Sequence, residues 1–174
     1  MIIYDMKRCF LATICLLMLV KNAQGQENEL SIDIFNLIAL ASLDISYEYK
    51  LNEESRVGVA TLFNFSNPAN SFRYAYEFSL TPFYKQIFVE KNNLQYYGEI
   101  FGSINRGKID LNKLSIGDNP NYTDFGLGVS AGVKYVSPYK FIADLHLGIG
   151  RNFFNTNVSP SFIPRVGIGV GKQF

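Results

Sequence analysis

The chain has 174 residues, of which 48% are hydrophobic and only 18% charged, with a formal net charge of +1; an ordinary soluble domain carries ~25% charged residues. Both cysteines (Cys9, Cys15) and all three methionines (Met1, Met6, Met18) fall in the first twenty residues, which excludes a disulfide scaffold, a thiolate metal site or a cysteine nucleophile from the rest. No basic run exceeds Lys7-Arg8, so the electrostatic footprint of a nucleic-acid binder is missing, and 15% aromatic residues exclude a chain that stays unfolded.

The first element is a targeting signal. Residues 6–25, MKRCFLATICLLMLVKNAQG, place a basic pair before an apolar run from Cys9 to Val20, then small residues at Ala23 and Gly25. This is the layout of a cleaved secretory signal peptide. A twelve-residue apolar run is too short for the ~20 residues of a membrane-crossing helix. Ile14 before Cys15 is a poor context for lipidation, and Met6 serves as a start as well as Met1. The expected organisation is a signal peptide at 1–25 and one domain at 26–174, with thirteen basic and fourteen acidic residues left after cleavage.

From there the chain alternates with a period of two, the signature of strands. A weak first strand is expected over 30–40, although Ile34–Leu43 is apolar on both faces and is open to a short helix. The second, LDISYEYKL, sets Leu43, Ile45, Tyr47, Tyr49 and Leu51 against Asp44, Ser46, Glu48 and Lys50. A weak third covers 56–65. The fourth, Phe72–Thr81, opposes Phe72, Tyr74, Tyr76, Phe78 and Leu80 to Arg73, Ala75, Glu77, Ser79 and Thr81, and a weak fifth covers 94–104, with Glu99. The sixth, Asp124–Tyr135, alternates Phe125, Leu127, Val129, Ala131, Val133 and Tyr135 with Asp124, Gly126, Gly128, Ser130, Gly132 and Lys134. The seventh, Phe141–Gly150, carries Asp144, His146, Gly148 and Gly150 on its polar face. The eighth, Arg165–Gly171, carries Arg165 and three glycines on that face. Links after the second, fourth and sixth strands are short (52–55, 86–93, 137–140), while those after the third, fifth and seventh (66–71, 105–121, 152–161) are longer on average. Short turns at one end and long loops at the other are what a transmembrane barrel shows. The prediction is all-β: an eight-stranded antiparallel up-and-down transmembrane barrel.

The polar face reads as the inside. Eight of the fourteen glycines (126, 128, 132, 148, 150, 167, 169, 171) lie on it. Glycine weakens a strand unless something must come close, and an eight-stranded barrel is only just wide enough for its own side chains. The charged and titratable groups expected there, Asp44, Glu48, Arg73, Glu77, Glu99, Asp124, Lys134, Asp144, His146 and Arg165, form a lumen polar network. Tyrosines 47, 49, 74, 84, 96, 135 and 139 gather toward strand ends, where amphipathic rings meet headgroups.

The last strand, PRVGIGVGKQF, places Val166, Ile168 and Val170 at alternate positions and ends on Phe174. This resembles the C-terminal assembly signal of bacterial outer-membrane barrels, with Lys172 a departure from it. Together with YTDFGLGVSAGVKY and LHLGIGRNFFN, the chain resembles the small eight-stranded outer-membrane barrels, most nearly an uncharacterised family of them. The resemblance implies a multi-pass barrel in the cell outer membrane, with outer-membrane lipids and the barrel assembly machinery as partners. No activity comes with it.

Chemistry has few places to reside. His146 is the only histidine, and Asp144-Leu145-His146 puts a carboxylate on the same strand face, where it can orient the imidazole. A nucleophile would have to come from Ser130 or another interior hydroxyl. The His-x-Ser signature of outer-membrane lipid A deacylases is absent, since Leu147-Gly148 follows. One histidine without cysteine also argues against zinc. The expectation is therefore no enzyme, no cofactor, no metal and no nucleic-acid partner, with a structural or interaction role through external loops. Two alternatives stay open: a soluble periplasmic lipocalin-like barrel binding an apolar ligand, and an outer-membrane lipid-modifying enzyme.

Overall fold

The computed structural model describes residues 27–65, 76–108, 121–154 and 159–174. Eight antiparallel strands close on themselves in sequence order: β1 (Asn28–Asp33), β2 (Ser42–Lys50), β3 (Ser55–Asn64), β4 (Phe78–Lys91), β5 (Leu94–Lys108), β6 (Asn121–Val136), β7 (Phe141–Asn152) and β8 (Phe162–Gln173), with β8 pairing back to β1. A short helix, α1 (Ile34–Ala39), follows β1. The turns at 51–54, 92–93 and 137–140 share one end with Asn28 and Phe174, whose backbones exchange hydrogen bonds of 3.0 and 2.9 Å. The longer connections lie at the opposite end.

Two elements differ from the sequence expectation. The first strand stops at Asp33 instead of running to 40, because the Asp33 side chain accepts from the Asn36 backbone N–H at 2.8 Å and caps α1. The fourth strand lies later than expected. It runs to Lys91 across a register shift between Ile87 and Val89, which breaks the alternation of QIFVEK. It ends in a two-residue turn whose Asn92 and Asn93 have positive φ (52° and 66°), the geometry that suits a tight hairpin. Tyr76, assigned to the outer face from the sequence, is buried against Leu40 and Leu62. Glu77 requires a correction too: it is half exposed at the end of β4, paired with Lys108 at 3.1 Å, and stands outside the lumen. Arg73, Tyr74 and most of the 105–121 loop lie outside the described residues.

The two faces separate sharply. On β5, Gln95, Tyr97, Glu99, Phe101, Ser103 and Asn105 are buried inside, while Tyr96, Ile100 and Ile104 are exposed outside. The eight polar-face glycines all point inward. An added Cβ at Gly128 would lie 2.3 Å from Phe101 Cζ, and one at Gly132 would lie 2.4 Å from the Tyr97 hydroxyl, so glycine there lets the large ring of its paired neighbour on β5 lie over the strand.

Candidate functional site

The interior charges sit one above another, each placed by the inward parity of its strand. Nearest the termini, Arg56 Nη1 lies 2.9 Å from Glu29 and Nη2 donates to Gln95 at 3.4 Å. Lys134 bridges Glu29 and Glu48, the second contact at 2.6 Å, and Lys85 reaches Glu48 at 2.6 Å and Asp144 at 3.6 Å. The Tyr97 hydroxyl donates to Asp144 at 2.7 Å, and the Lys85 ammonium sits 4.1 Å above the Tyr97 ring. Higher up, Arg165 Nε donates to Glu99 at 2.7 Å between the rings of Phe83 and Phe101, and Ser130 donates to the same carboxylate at 2.9 Å.

His146 Nδ1 lies 3.1 Å from Asp144 Oδ1 and its Nε2 is 4.0 Å from Asp33. Asp44 accepts from the Asn36 side chain at 3.3 Å, which ties α1 to the interior. At the loop end, Asp124 accepts from the backbone N–H groups of Phe125 and Phe154 (2.8 and 2.9 Å) and from the Ser159 hydroxyl. An apolar stopper of Leu40, Leu62, Tyr76 and Phe35 lies over the charged stack.

Of the sequence-assigned group, Asp44, Glu48, Glu99, Lys134, Asp144, His146 and Arg165 thus meet in one connected interior, with Asp124 at its loop end. Sequence reading missed Glu29, Asp33, Arg56 and Lys85. Arg56 and Lys85 complete the alternation of strands whose outer positions are Val57, Val59, Tyr84 and Pro82, so extending the period through Pro82 would have found Lys85. Glu29 and Asp33 lie on a strand too short for its period to stand out.

Among the described residues the middle of the lumen leaves two cavities of about 20 and 30 Å³, both lined by Asp44, His146 and Arg165, and a polar cavity of about 200 Å³ opens at the terminal end beside Lys50, Arg56 and Gln95. The two in the middle are the size of one or two water molecules. Among the described residues no cluster of three or more His, Cys, Asp or Glu side chains has metal-holding geometry. The serine named as a possible nucleophile, Ser130, donates to Glu99 and takes no part in the His146–Asp144 pair.

The outer wall is the inverse of the interior. Outward positions in the body of the strands carry no charge and are mostly apolar or aromatic, with Thr61 on β3 and Gln86 on β4 polar among them, and basic side chains such as Arg106, Arg151 and Lys172 stand at strand ends. Lys172 lies at the terminal rim, its ammonium 5.9 Å from the Phe141 ring. On β5 the apolar column runs from Leu94 to Ile104, eleven residues, against the ~9–11 that a tilted strand needs to cross a bilayer. Tyr84, Tyr96, Tyr135 and Tyr139 ring the terminal end, and Phe63, Phe65, Phe153, Phe154 and Phe162 ring the loop end. Val166, Ile168, Val170 and Phe174 all belong to this outer surface. A closed barrel with its charges paired inside and hydrocarbon-compatible residues outside is a membrane barrel. The lipocalin-like alternative needs the opposite polarity.

Solved structures share this architecture. Neisserial surface protein A matches over 86% of this chain and 96% of its own, with a TM-score of 0.56 and 18% identity. Ail, the attachment invasion locus protein of Yersinia pestis, matches over 86% and 99%, with a TM-score of 0.51 and 13% identity. The fold is that of the small outer-membrane barrels. At these identities the likeness extends to the fold alone. No family model matches the chain, and no curated protein matches it.

Proposed function

We propose that the protein is an integral outer-membrane barrel acting as a rigid, solute-tight scaffold that presents its longer connections at the cell surface to a binding partner. Residues 1–25 act as a cleaved export signal, and Val166, Ile168, Val170 and Phe174 as the signal read by the barrel assembly machinery. The turns and termini face the periplasm; the connections after β1, β3, β5 and β7 face outward. The observation carrying this reading is the filled middle of the lumen: among the described residues the two cavities there admit nothing larger than water, and the interior pairs bind the strands to one another. A role is left to the surface, and the loops are where the wall ends.

The test is to compare boiled and unboiled membrane fractions on a denaturing gel, then treat intact cells with protease. A mobility shift in the outer-membrane fraction and cleavage confined to the loop end are expected. Recovery in the soluble periplasm without a shift would refute the reading.

A further inference from the structure

On β3 to β6 the outer wall sinks into an apolar trough of about 650 Å³ lined by Val57, Pro82, Tyr84, Ile100, Gly102 and Leu127. Two residues make it. Pro82 has no N–H to give to a ladder, and the β4–β5 register passes from Leu80↔Ile104 directly to Phe83↔Phe101. Gly102 presents no side chain, yet nothing packed on it demands glycine: an added Cβ would find its nearest neighbours, Leu127 and Phe125, at 3.6 Å, ordinary contact. This sets it apart from inward glycines such as Gly128. What glycine does at 102 is leave space open on a surface that faces hydrocarbon.

The same outward column continues through Ile104 to Arg106 at the loop end. Arg106 is exposed and has no ion pair among the described residues, whereas Lys108 beyond it is held by Glu77. Gly102 lies four positions before Arg106, roughly 13 Å along a strand and roughly 10 Å in depth at the ~35–45° tilt of such strands, and Arg106 lies two positions beyond Ile104, where the apolar column ends. An unpaired guanidinium therefore stands at headgroup height over an apolar trough that reaches toward the midplane.

We propose that the trough and Arg106 form a binding site for one amphiphile of the external leaflet, its acyl chain lying over Gly102 and Pro82 and its phosphate headgroup on the Arg106 guanidinium. The planar fork of arginine matches a phosphate's two oxygens, and the apolar floor offers nothing to a polar ligand. The site rests on the membrane-barrel reading above.

The test is native mass spectrometry of the detergent-released full chain, titrated with dioleoyl phosphatidylglycerol or with dioleoylglycerol, which lacks the phosphate. One phosphatidylglycerol per barrel is expected. Gly102→Leu fills the trough and weakens both lipids by roughly tenfold or more, while Arg106→Gln weakens phosphatidylglycerol by roughly tenfold and leaves dioleoylglycerol unchanged. Equal binding of phosphatidylglycerol by the parent and by Gly102→Leu overturns the site. So does an Arg106→Gln variant that discriminates no less than the parent, or a Gly102→Leu effect confined to a monomer–dimer equilibrium, which would make a second copy the occupant. Each variant is first checked for the boiled-versus-unboiled gel shift, so that failure of the barrel itself is seen separately from failure of the site.

Discussion

Arg165→Met tests whether the interior is held together by its charge pairs. The guanidinium lies 2.7 Å from Glu99, and the two side chains are 13% and 3% exposed. Its carbon centre is 5.4 and 5.2 Å from the centroids of Phe83 and Phe101. Replacing it with an apolar side chain of similar length strands Glu99 on the Ser130 hydroxyl, 2.9 Å away. Removing one member of a buried pair costs ~3–5 kcal/mol, and each cation–π contact adds ~0.5–1 kcal/mol. Since such terms overlap, about 4 kcal/mol is the expected loss. With a slope of ~2 kcal/mol per molar, the urea midpoint falls by ~2 M. The chain has no tryptophan, so the folded fraction in lipid vesicles is best read from the unboiled band on a gel. Arg165→Met/Glu99→Gln removes both charges and should regain most of the loss, because apolar replacement of a whole buried pair is often near neutral. A single variant within ~1 kcal/mol of the parent, or a double variant no better than the sum of the two singles, would refute the claim that this pair matters to the barrel.

The polarity of the wall gives a second prediction: Leu147→Arg, an outward site 71% exposed in the middle of β7, should cost ~2–4 kcal/mol in vesicles, where the native Lys172 at the rim costs ~0–1; equal costs for arginine at 147 and at 170 or 172 would place the membrane elsewhere. Gly128→Ala sets a Cβ 2.6 Å from Gly150 Cα, so the folded yield should collapse, whereas Gly169→Ala meets nothing closer than 3.5 Å and should fold like the parent. Planar-bilayer recordings of the folded protein should show no steady conductance, and a steady open level would contradict the filled lumen. At the end that holds the turns and termini, the hydrogen bond from Lys50, 2.8 Å away, holds the Glu27 carboxyl below its ordinary value. A depressed carboxylate stabilises above its unfolded pKa and loses that contribution as pH falls through the folded one. The protection of the Asn28 and Glu29 amides, each rate taken relative to that of an unstructured amide at the same pH, should therefore fall as pH drops below the ordinary glutamate range and stay level between pH 6 and 8.

Period two was legible wherever one face is apolar and the other small or charged, which is why β2, β6, β7 and β8 stand within a few residues of their expected bounds. The pattern was weakest where the interior itself is apolar. Phe83, Phe101 and Ile87 point inward, so β4 and β5 do not divide cleanly by hydropathy, and the fourth strand was placed early on the alternation of Phe72–Thr81. Composition pointed to the charges of β2, β6 and β7 as an interior network. Their partners were illegible because they come from other strands: Lys134 meets Glu29, which lies 105 positions away in the chain, and only the closed register brings the two together.

Closure rests on the shortest strand. β1 pairs through five residues with β2 and five with β8, while β7 and β8 share eleven pairs. Above Asp33 the facing edges of β2 and β8 have no strand between them, and in hydrocarbon an open edge is costly because no water satisfies its backbone. The element standing in that gap is α1, which packs on both strands and bonds its own backbone. Its Asn36 turns inward to Asp44, Leu40 joins the interior stopper, and Leu37 and Ile38 face out. The helix signal in this segment, apolar on both faces after a capping aspartate, and the missing half-strand are therefore one feature. A chain that ends its first strand early needs a piece there that is apolar outward, polar inward at one position, and self-satisfied along its backbone, and IFNLIA meets all three conditions.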